Sequence, residues 1–197
     1  EDRVRVNGRY YHRFNNKNNA YIAIAGGSSI NQFNSNEPIS NIVNSVSTLF
    51  FKNNFMKLYN KEFTEISYGR EVTNGVYVSG KMLYENRHAL FNNTDYTFIK
   101  NDDTYFSNDP LQPFNYTSTP FEKHHIMKAS IGTRIRFGQK YISRPDGKIN
   151  IQNDDYPILS FNYEKAFGAT NNDYHYDLIS ASVDYNKTIG NKGDFGL

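Results

Sequence analysis

Hydrophobic and polar residues alternate along much of this chain, most regularly in the stretch HHIMKASIGTRIRFGQ at residues 124–139. Successive side chains of a β-strand point to opposite faces, so strict alternation predicts a strand with two different surfaces. One of these surfaces has no charge and the other carries three cations. The uncharged face holds Met127, Ala129, Ile131, Thr133, Ile135 and Phe137, and the cationic face holds Lys128, Ser130, Gly132, Arg134 and Arg136.

Six other stretches show the same period of two, and together they predict an all-β, antiparallel fold of about seven to eight strands. Residues 40–60 break the alternation, because Ile42 and Val46 fall on a helical stripe that follows Ser40, a suitable N-cap. We therefore expect a short helix in this connection. The six further strands are predicted at residues 2–14, 20–33, 62–71, 76–87, 158–167 and 176–189.

The connections between these strands differ in length. Short links rich in Asn, Gly and Lys occur at 15–19, 72–75 and 190–194, whereas the links at 35–61 and 88–123 are long. Successive links of an up-and-down sheet lie at opposite ends, so most short turns gather at one end. This asymmetry is typical of an outer-membrane β-barrel, although the link at 139–155 is longer than the other turns at its end.

In a barrel of this kind, the charged side of each strand faces a hydrated lumen and the apolar side faces lipid. The predicted lumen-facing charges are Arg3, Arg5, Arg9, Arg13, Glu65, Glu71, Lys81, Glu85, Arg87, Lys128, Arg134, Arg136 and Glu164. The predicted lipid-facing residues are Val4, Val6, Val76, Val78, Met127, Ile131, Ile135, Phe137, Ile179 and Val183.

A soluble antiparallel sandwich also alternates apolar and polar positions, so strand length helps to separate the two folds. Strands of about 12 residues reach roughly 40 Å, enough to cross a tilted bilayer path, whereas strands of soluble proteins more often have about 5–6 residues. Aromatic residues such as Tyr84 and Phe137 end several apolar faces and suit a membrane interface. We expect a transmembrane β-barrel, complete or partial, in one domain over residues 1–197.

Composition narrows the classes of function. The chain has 197 residues, a net charge of +2 and no cysteine, which excludes a disulfide framework and a thiolate metal site. Lys and Arg are interspersed with acids, so no one-signed surface for nucleic acid is predicted. No apolar run approaches the ~18–20 residues of a membrane helix. The sequence opens and closes within strand-like segments, so we expect a piece of a longer chain.

No catalytic, metal or cofactor site is predicted. His124 and His125 are neighbours on a strand and point to opposite faces, so we expect a pair at the rim and no shared metal. Asp102, Asp103 and Asp109 lie in a long link without EF-hand spacing, which predicts solvated loop acids. No serine lies in the context of a nucleophile elbow, and we expect no enzyme activity.

The arginines of the cationic faces have two interpretations. They can pair with glutamates and brace a barrel lumen, or they can form a cationic wall that favours anionic solutes. Since Glu65, Glu71, Glu85 and Glu164 are available, we expect the bracing role, with Arg134 and Arg136 paired to glutamates of neighbouring strands.

Several blocks of the sequence resemble a known family: LFNNTDYTF (90–98), NDPLQPFNYTSTPFEKHH (108–125), RFGQKYISRPDGKINI (136–151), YPILSFNYEKAFG (156–168) and IGNKGDF (189–195). They are similar to Bacteroidota outer-membrane proteins of unknown function that join a carboxypeptidase-regulatory-like domain to a C-terminal β-barrel. The similarity covers residues 60–197 well and the first sixty more loosely, and FGQKYISRPDGK is its most specific run. It implies a barrel segment and supplies no catalytic residues.

These observations together predict a non-catalytic surface or assembly component of the bacterial outer membrane. Its expected partners are the lipid bilayer and, through the loops at 35–61 and 88–123, other outer-membrane or surface proteins. Two alternatives remain open at this stage: a passive or gated pore for small solutes, and a soluble β-sandwich binding module.

Overall fold

The computed structural model describes residues 4–34, 38–91, 96–100, 102–115, 118–151, 155–188, 190 and 193–196. This part of the chain is all-β with one short α-helix, as the alternation predicts. Arg3, one of the predicted lumen-facing charges, lies outside the described residues. No helix within the described ranges combines the length and apolar character needed to cross a membrane.

Seven strands pair into one antiparallel sheet in the order β1-β2-β3-β4-β5-β8-β9. Strands adjacent in the sequence are therefore adjacent in the sheet, apart from the hairpin inserted between β5 and β8. The seven strands are β1 (Asn7–Asn15), β2 (Ala20–Gln32), β3 (Leu58–Thr73), β4 (Val76–Ala89), β5 (His124–Arg136), β8 (Ile158–Phe167) and β9 (Tyr176–Asp184). A 3-10 turn at Asn172–Tyr174 precedes β9.

Two small hairpins form two-stranded sheets of their own, and neither of them was predicted from the sequence. The link at 139–155 contains β6 (Lys140–Arg144) paired with β7 (Gly147–Ile151) across a Pro-Asp turn, where the prediction had only a connection. The predicted strand at 176–189 ends at Asp184, because β10 (Asn186–Thr188) pairs with β11 (Asp194–Gly196). Both hairpins use short strands, whose alternation is too brief to recognise in the sequence.

The ends of three predicted segments also need correction. The first strand begins at Asn7, so Val4, Arg5 and Val6 precede it and are not strand residues. Phe137 lies just beyond β5, which ends at Arg136. Strand β3 is longer than predicted, since it begins at Leu58 and continues to Thr73.

The predicted short helix is confirmed as α1 (Asn41–Phe51). Ser40 is its N-cap, and the Ser40 hydroxyl accepts a hydrogen bond from the Val43 amide at 3.3 Å, as expected for a serine at this position. The helix ends at Lys52, which adopts a left-handed conformation and donates its amide to Thr48 O at 3.1 Å.

The register of β5, β8 and β9 places the predicted apolar residues in rows on one face. Ile131 lies opposite Tyr163, which lies opposite Ile179 on the next strand. Directly opposed residues share a face, so these three side chains form a continuous row across the strands. The other face of the same strands carries Ser130 opposite Glu164. The two faces predicted for β5 therefore extend over its neighbours.

The described residues group into two compact units. The first takes residues within Glu1–Asn7, Gly27–Glu62 and Glu85–His125, and its buried residues are mostly polar. The second takes residues within Gly8–Gly26, Phe63–Tyr84 and Ile126–Leu197, and its buried hydrophobic residues are small apart from Ile126. The expectation of one domain over the whole chain stays a prediction.

Burial along β3 is the reverse of that in a soluble sheet. Ser67 and Glu71 are 9% and 7% exposed, whereas Ile66, Tyr68 and Val72 between and beside them are 45%, 42% and 49% exposed. Among the described residues, six hydrophobic residues are buried and forty large hydrophobic side chains are exposed. Along β3, the polar side is therefore the buried side and the apolar side is the exposed one.

Gly27 in β2 is predicted to be essential for close strand approach. Its φ is +138°, and a methyl group at this position would lie 2.5 Å from Asn7 Cα. We expect Gly27→Ala to lower the free energy of unfolding by about 1–3 kcal/mol, the cost typical of a strained backbone. The urea midpoint of the chain refolded in detergent micelles measures this change.

Gly8→Ala in β1 is the matched control for Gly27→Ala. A methyl group at Gly8 would have no atom within 4 Å, and the backbone there has an ordinary φ, so its urea midpoint should stay close to that of the parent chain. Equal midpoints for the two variants would contradict the close approach at Gly27.

Candidate functional site

The polar side of the second unit contains a cavity of about 220 Å³, which we call the arginine cavity. Three guanidinium groups and three phenol rings dominate its lining. The cavity is lined by Tyr11, Arg13, Asn19, Tyr21, Glu71, Gly75, Tyr77, Arg134, Arg136, Gln139 and Asn150.

Five adjacent strands supply the principal side chains of the arginine cavity. Alternation places Arg13 on β1, Tyr21 on β2, Glu71 on β3, Tyr77 on β4, and Arg134 with Arg136 on β5. Arg134 and Arg136 are two residues apart and therefore share one face of their strand. The cavity is thus a direct product of the alternation that predicts the fold.

A glycine in β3 lets two tyrosines meet above the strand. Gly69 lies between Ser67 and Glu71 on the polar side, and it is buried. A methyl group at Gly69 would lie 2.7 Å from Tyr21 Cε1 and 2.9 Å from Tyr77 Cζ. Because Gly69 has no side chain, the two rings can lie over it. This arrangement is known as aromatic rescue of a strand glycine.

Glu71 is the acidic residue of the arginine cavity, and a lysine neutralises it. Glu71 Oε1 accepts hydrogen bonds from Lys148 Nζ at 2.6 Å and from the Gly75 amide at 2.8 Å. Lys148 also donates to Asn74 Oδ1 at 2.8 Å. Lys148 belongs to the β6–β7 hairpin, so this hairpin supplies the counter-charge of a buried carboxylate.

The expected pairing of Arg134 and Arg136 with glutamates is wrong. Within the described ranges, neither guanidinium lies within 4.0 Å of a carboxylate oxygen. Arg13 likewise has no ion pair there, and its Nε lies 3.4 Å from Tyr11 Oη. The glutamates are engaged mainly by lysines, which are more flexible and reach them across the strands.

A second cavity of about 290 Å³ lies on the polar side of the same unit, and we call it the mixed-charge cavity. Lys81 Nζ and Glu65 Oε2 are 3.9 Å apart within it, and Glu164 accepts a hydrogen bond from Tyr176 Oη at 2.6 Å. Its cations and anions balance. The cavity is lined by Arg9, Tyr21, Glu65, Ser67, Ser79, Gly80, Lys81, Ser130, Gly132, Asn162 and Glu164.

In the first unit, Glu85 forms the most deeply buried charged contact of the described residues. Its side chain is 2% exposed and lies 3.0 Å from Lys61 Nζ and 2.6 Å from Arg87 Nη2. Two cations therefore neutralise one carboxylate, with Arg87 also lying over the ring of Tyr59 at 5.3 Å. This group supports the bracing role for Glu85 and Arg87.

Arg5 and Lys128, two further predicted lumen-facing residues, line neither of the two cavities. Arg5 donates from Nε to Asn60 Oδ1 at 3.1 Å in the first unit, and Lys128 lies over the ring of Tyr176 at 5.9 Å in the second. Among the predicted lipid-facing residues, Val76, Val78 and Ile135 are half-buried, and the others are exposed. Contact of any of these residues with lipid stays a prediction.

In the described part of the long loop at 88–123, Asn108 makes three hydrogen bonds to neighbouring segments. Asn108 donates to Leu58 O at 2.5 Å and to Leu90 O at 2.7 Å, and it accepts from the Leu58 amide at 2.8 Å. Lys57 Nζ adds a hydrogen bond to Ser107 O at 2.5 Å. A single side chain thus ties the loop to the start of β3 and to the residue after β4.

Asp109 is buried, so the expectation of a solvated loop acid is wrong for this residue. It accepts hydrogen bonds from Ser118 Oγ at 2.7 Å and from the Leu111 amide at 2.8 Å. Burial alone raises the pKa of Asp109, but these bonds and the charge of Lys57 outweigh it, and the net pKa is lowered. Burial in turn lowers the pKa of Lys57.

His124 and His125 point to opposite sides of β5, as predicted from their adjacency. His124 is buried with its Nδ1 2.9 Å from Glu122 O, whereas His125 is exposed. Among the residues that the structure describes, no three His, Asp or Glu side chains come together as a metal-ion site would require.

Lys61, Lys148 and the three tyrosines that line the arginine cavity were absent from the sequence prediction. Lys61 was missed because the predicted strand began one residue later, and Lys148 because its hairpin was interpreted as a connection. Tyr77 alternates with Val76 and Val78 on β4, so the same alternation could have placed it on the polar side.

The buried charge at Glu85 is predicted to be necessary for stability. We expect Glu85→Gln to lower the free energy of unfolding by about 3–5 kcal/mol, because it leaves two partly buried cations without their anion. Urea unfolding in detergent micelles measures the change. As a control, Lys165→Gln removes an ion pair to Asp177 that is more than half exposed, and we expect no measurable change. Similar losses in both variants would contradict the special role of Glu85.

The carboxylate of Asp109 is predicted to order its loop in a pH-dependent way. Since its folded pKa is lowered, it stabilises the folded loop above the unfolded value of 3.8, and this stabilisation is lost as the pH falls below that value. We expect amide protection factors across residues 102–115 to fall in this acid range. Hydrogen–deuterium exchange with mass spectrometry measures them.

Asp109→Asn tests the same loop at neutral pH. The amide keeps one acceptor oxygen but loses the charge beside Lys57, so we expect low protection at pH 7 and little further loss in acid. Asp103→Asn is the matched control, since Asp103 is an exposed acid of the same loop. An unchanged acid response in Asp109→Asn would contradict this account.

A comparison with protein-family models gives one finding. The model described as "Family of unknown function (DUF5686) C-terminal domain" matches residues 1–197, so the chain belongs to this family. No curated protein and no solved structure matches the chain.

Proposed function

We propose that this chain forms part of the wall of a bacterial outer-membrane β-barrel and acts there as a non-catalytic surface or assembly component. The observation that carries the proposal is the reversed burial along β3, where Ser67 and Glu71 are buried while Ile66, Tyr68 and Val72 are exposed. A soluble antiparallel sheet covers its apolar face and exposes its polar face. A barrel wall in lipid requires the opposite.

The apolar surface is continuous across strands of the second unit. Ile131, Tyr163 and Ile179 form one row at 61%, 41% and 80% exposure, and the register sets Phe161 opposite Thr133 in the row beside it. Soluble monomers rarely expose contiguous apolar patches larger than a few hundred Å². Exposing such a surface to water costs free energy, whereas exposing it to lipid tails does not. This difference argues against the soluble sandwich module.

The strand lengths support the same interpretation. The seven strands of the sheet contain between 9 and 16 residues, with 13 to 16 in β2, β3, β4 and β5. A tilted transmembrane strand needs about 9–11 residues. Each strand of the sheet is therefore long enough to cross the hydrocarbon core of a bilayer.

The described part of the 88–123 loop supports a role in partner binding. Leu111 and Phe114 are 85% and 77% exposed, yet the segment next to them is held by Asn108 and Asp109. An ordered loop loses little conformational entropy when it binds, so exposed apolar groups on it suit a protein interface. The proposed partners are other outer-membrane or surface proteins.

The sequence blocks described above support the location. Their resemblance to Bacteroidota outer-membrane proteins with a carboxypeptidase-regulatory-like domain leads us to propose the same membrane and taxonomic group for this chain. We also propose that such a regulatory-like domain accompanies the barrel in the full protein.

Arginine scanning of neighbouring residues on β5 tests the membrane wall. We expect Ile131→Arg to block assembly, since an arginine facing lipid near the bilayer midplane costs about 2–4 kcal/mol. The matched variant Ser130→Arg should be tolerated, because Ser130 lines the mixed-charge cavity opposite Glu164. The measurement is the amount of protein that remains in carbonate-washed outer membranes of cells expressing the full-length protein.

Two outcomes would contradict the proposal. Equal tolerance of both arginines would remove the assignment of Ile131 to lipid. Release of the parent protein into the carbonate wash would favour the soluble module. Immunoblotting of total cell protein serves as the expression control, so that poor synthesis of a variant is not mistaken for failed assembly.

A further inference from the structure

The arginine cavity has more positive charge than its own residues neutralise. Arg13, Arg134 and Arg136 line it, and across the described ranges none of the three is within ion-pair distance of a carboxylate. The cavity's single acid, Glu71, is already matched by Lys148 at 2.6 Å. The guanidinium fork binds carboxylates through paired charge-assisted hydrogen bonds. The charge balance therefore favours an anionic ligand and disfavours a metal cation.

A buried acceptor in the same cavity calls for a hydrogen-bond donor. Glu71 is 7% exposed, and its Oε1 accepts from Lys148 and Gly75. Its Oε2 is buried and has no hydrogen-bond partner in the described part of the chain. Buried polar atoms in folded proteins are nearly always satisfied, so an atom of this kind deserves a specific explanation. A hydroxyl group on the ligand would donate to it.

The rest of the lining suits a sugar ring. Tyr11 and Tyr21 stack with ring centroids 5.1 Å apart, and Asn19 and Asn150 contribute side-chain amides. Aromatic rings offer apolar faces to the C–H groups of a sugar, and amides both donate to and accept from hydroxyls. The volume of about 220 Å³ is below the roughly 300–1,000 Å³ of pockets for drug-sized ligands, which indicates one ring.

From this combination, we propose that the arginine cavity binds a single sugar unit that carries a carboxylate. The carboxylate meets Arg134 and Arg136, a ring hydroxyl donates to Glu71 Oε2, and the tyrosines contact the ring. All of these residues belong to the second unit. The proposal goes beyond the membrane-wall function, and its test by ligand binding in micelles has a readout separate from retention in the membrane.

Titration calorimetry with galacturonate as the probe tests this site on the full chain in detergent micelles. We expect saturable binding of galacturonate, and binding of neutral galactose at least about tenfold weaker, because charge-assisted hydrogen bonds to the carboxylate are lost. The double variant Arg134→Gln with Arg136→Gln should weaken galacturonate binding by at least about tenfold and leave galactose unaffected. Arg144→Gln, an exposed arginine of the β6–β7 hairpin, should bind as the parent chain does.

Three results would overturn the proposal. They are absence of galacturonate binding to the parent chain, equal affinity for galactose and galacturonate, and unchanged affinity in the double variant. Inorganic phosphate that displaces galacturonate at equal concentration would overturn the assignment to a sugar ring and leave a simple anion site. Circular dichroism confirms folding of each variant, and Arg136→Gln alone replaces the double variant if that variant does not fold.

Discussion

The structure depends on the neutralisation of carboxylates that its reversed strands bury. An isolated buried charge is costly, so each inward-facing glutamate requires a cation or hydrogen-bond donors at close range. Glu85 has Lys61 and Arg87 at 3.0 Å and 2.6 Å in the first unit. Glu71 has Lys148 at 2.6 Å and the Gly75 amide at 2.8 Å in the second. With these contacts in place, Glu71 and Glu85 can be buried while hydrophobic residues on the other side of β3 and β4, such as Val72 and Tyr84, are exposed.

The same constraint explains why small residues recur on the polar side. Long charged side chains need space in which to meet, and Gly69, Ser67 and Ser130 supply it between them. Gly69 is the clearest case, because any side chain there would displace the Tyr21 and Tyr77 rings. Polar, small and charged residues therefore form a cooperative set, in which the loss of one glutamate would leave several partners unsatisfied.

The seven strands of the sheet could be predicted because each has at least nine residues, enough for a strand pattern to be recognised, and the helix because Ser40 precedes a helical stripe. The β6–β7 hairpin could not, since two five-residue strands around Pro145 and Asp146 look like a polar connection in the sequence. Missing that hairpin meant missing Lys148, which is the cation that pairs with Glu71. The alternation gives the face of each residue but not its partner, which depends on the register between strands. The burial of Asp109 could not be predicted either, because it results from hydrogen bonds within an irregular loop.

The pairing of glutamates with lysines has a consequence for the arginines. If Arg134 and Arg136 had been the braces, removal of either would loosen the sheet, and any ligand would compete with the structure for the same charge. Lysines from β3, β4 and the β6–β7 hairpin carry that task at Glu85, Glu65 and Glu71. The two arginines therefore do not pair with these glutamates, and they lie two residues apart on one face of β5. Two cations that the fold positions without pairing them to a carboxylate are suited to recognition. The residues that stabilise the sheet are therefore different from those that can bind a ligand.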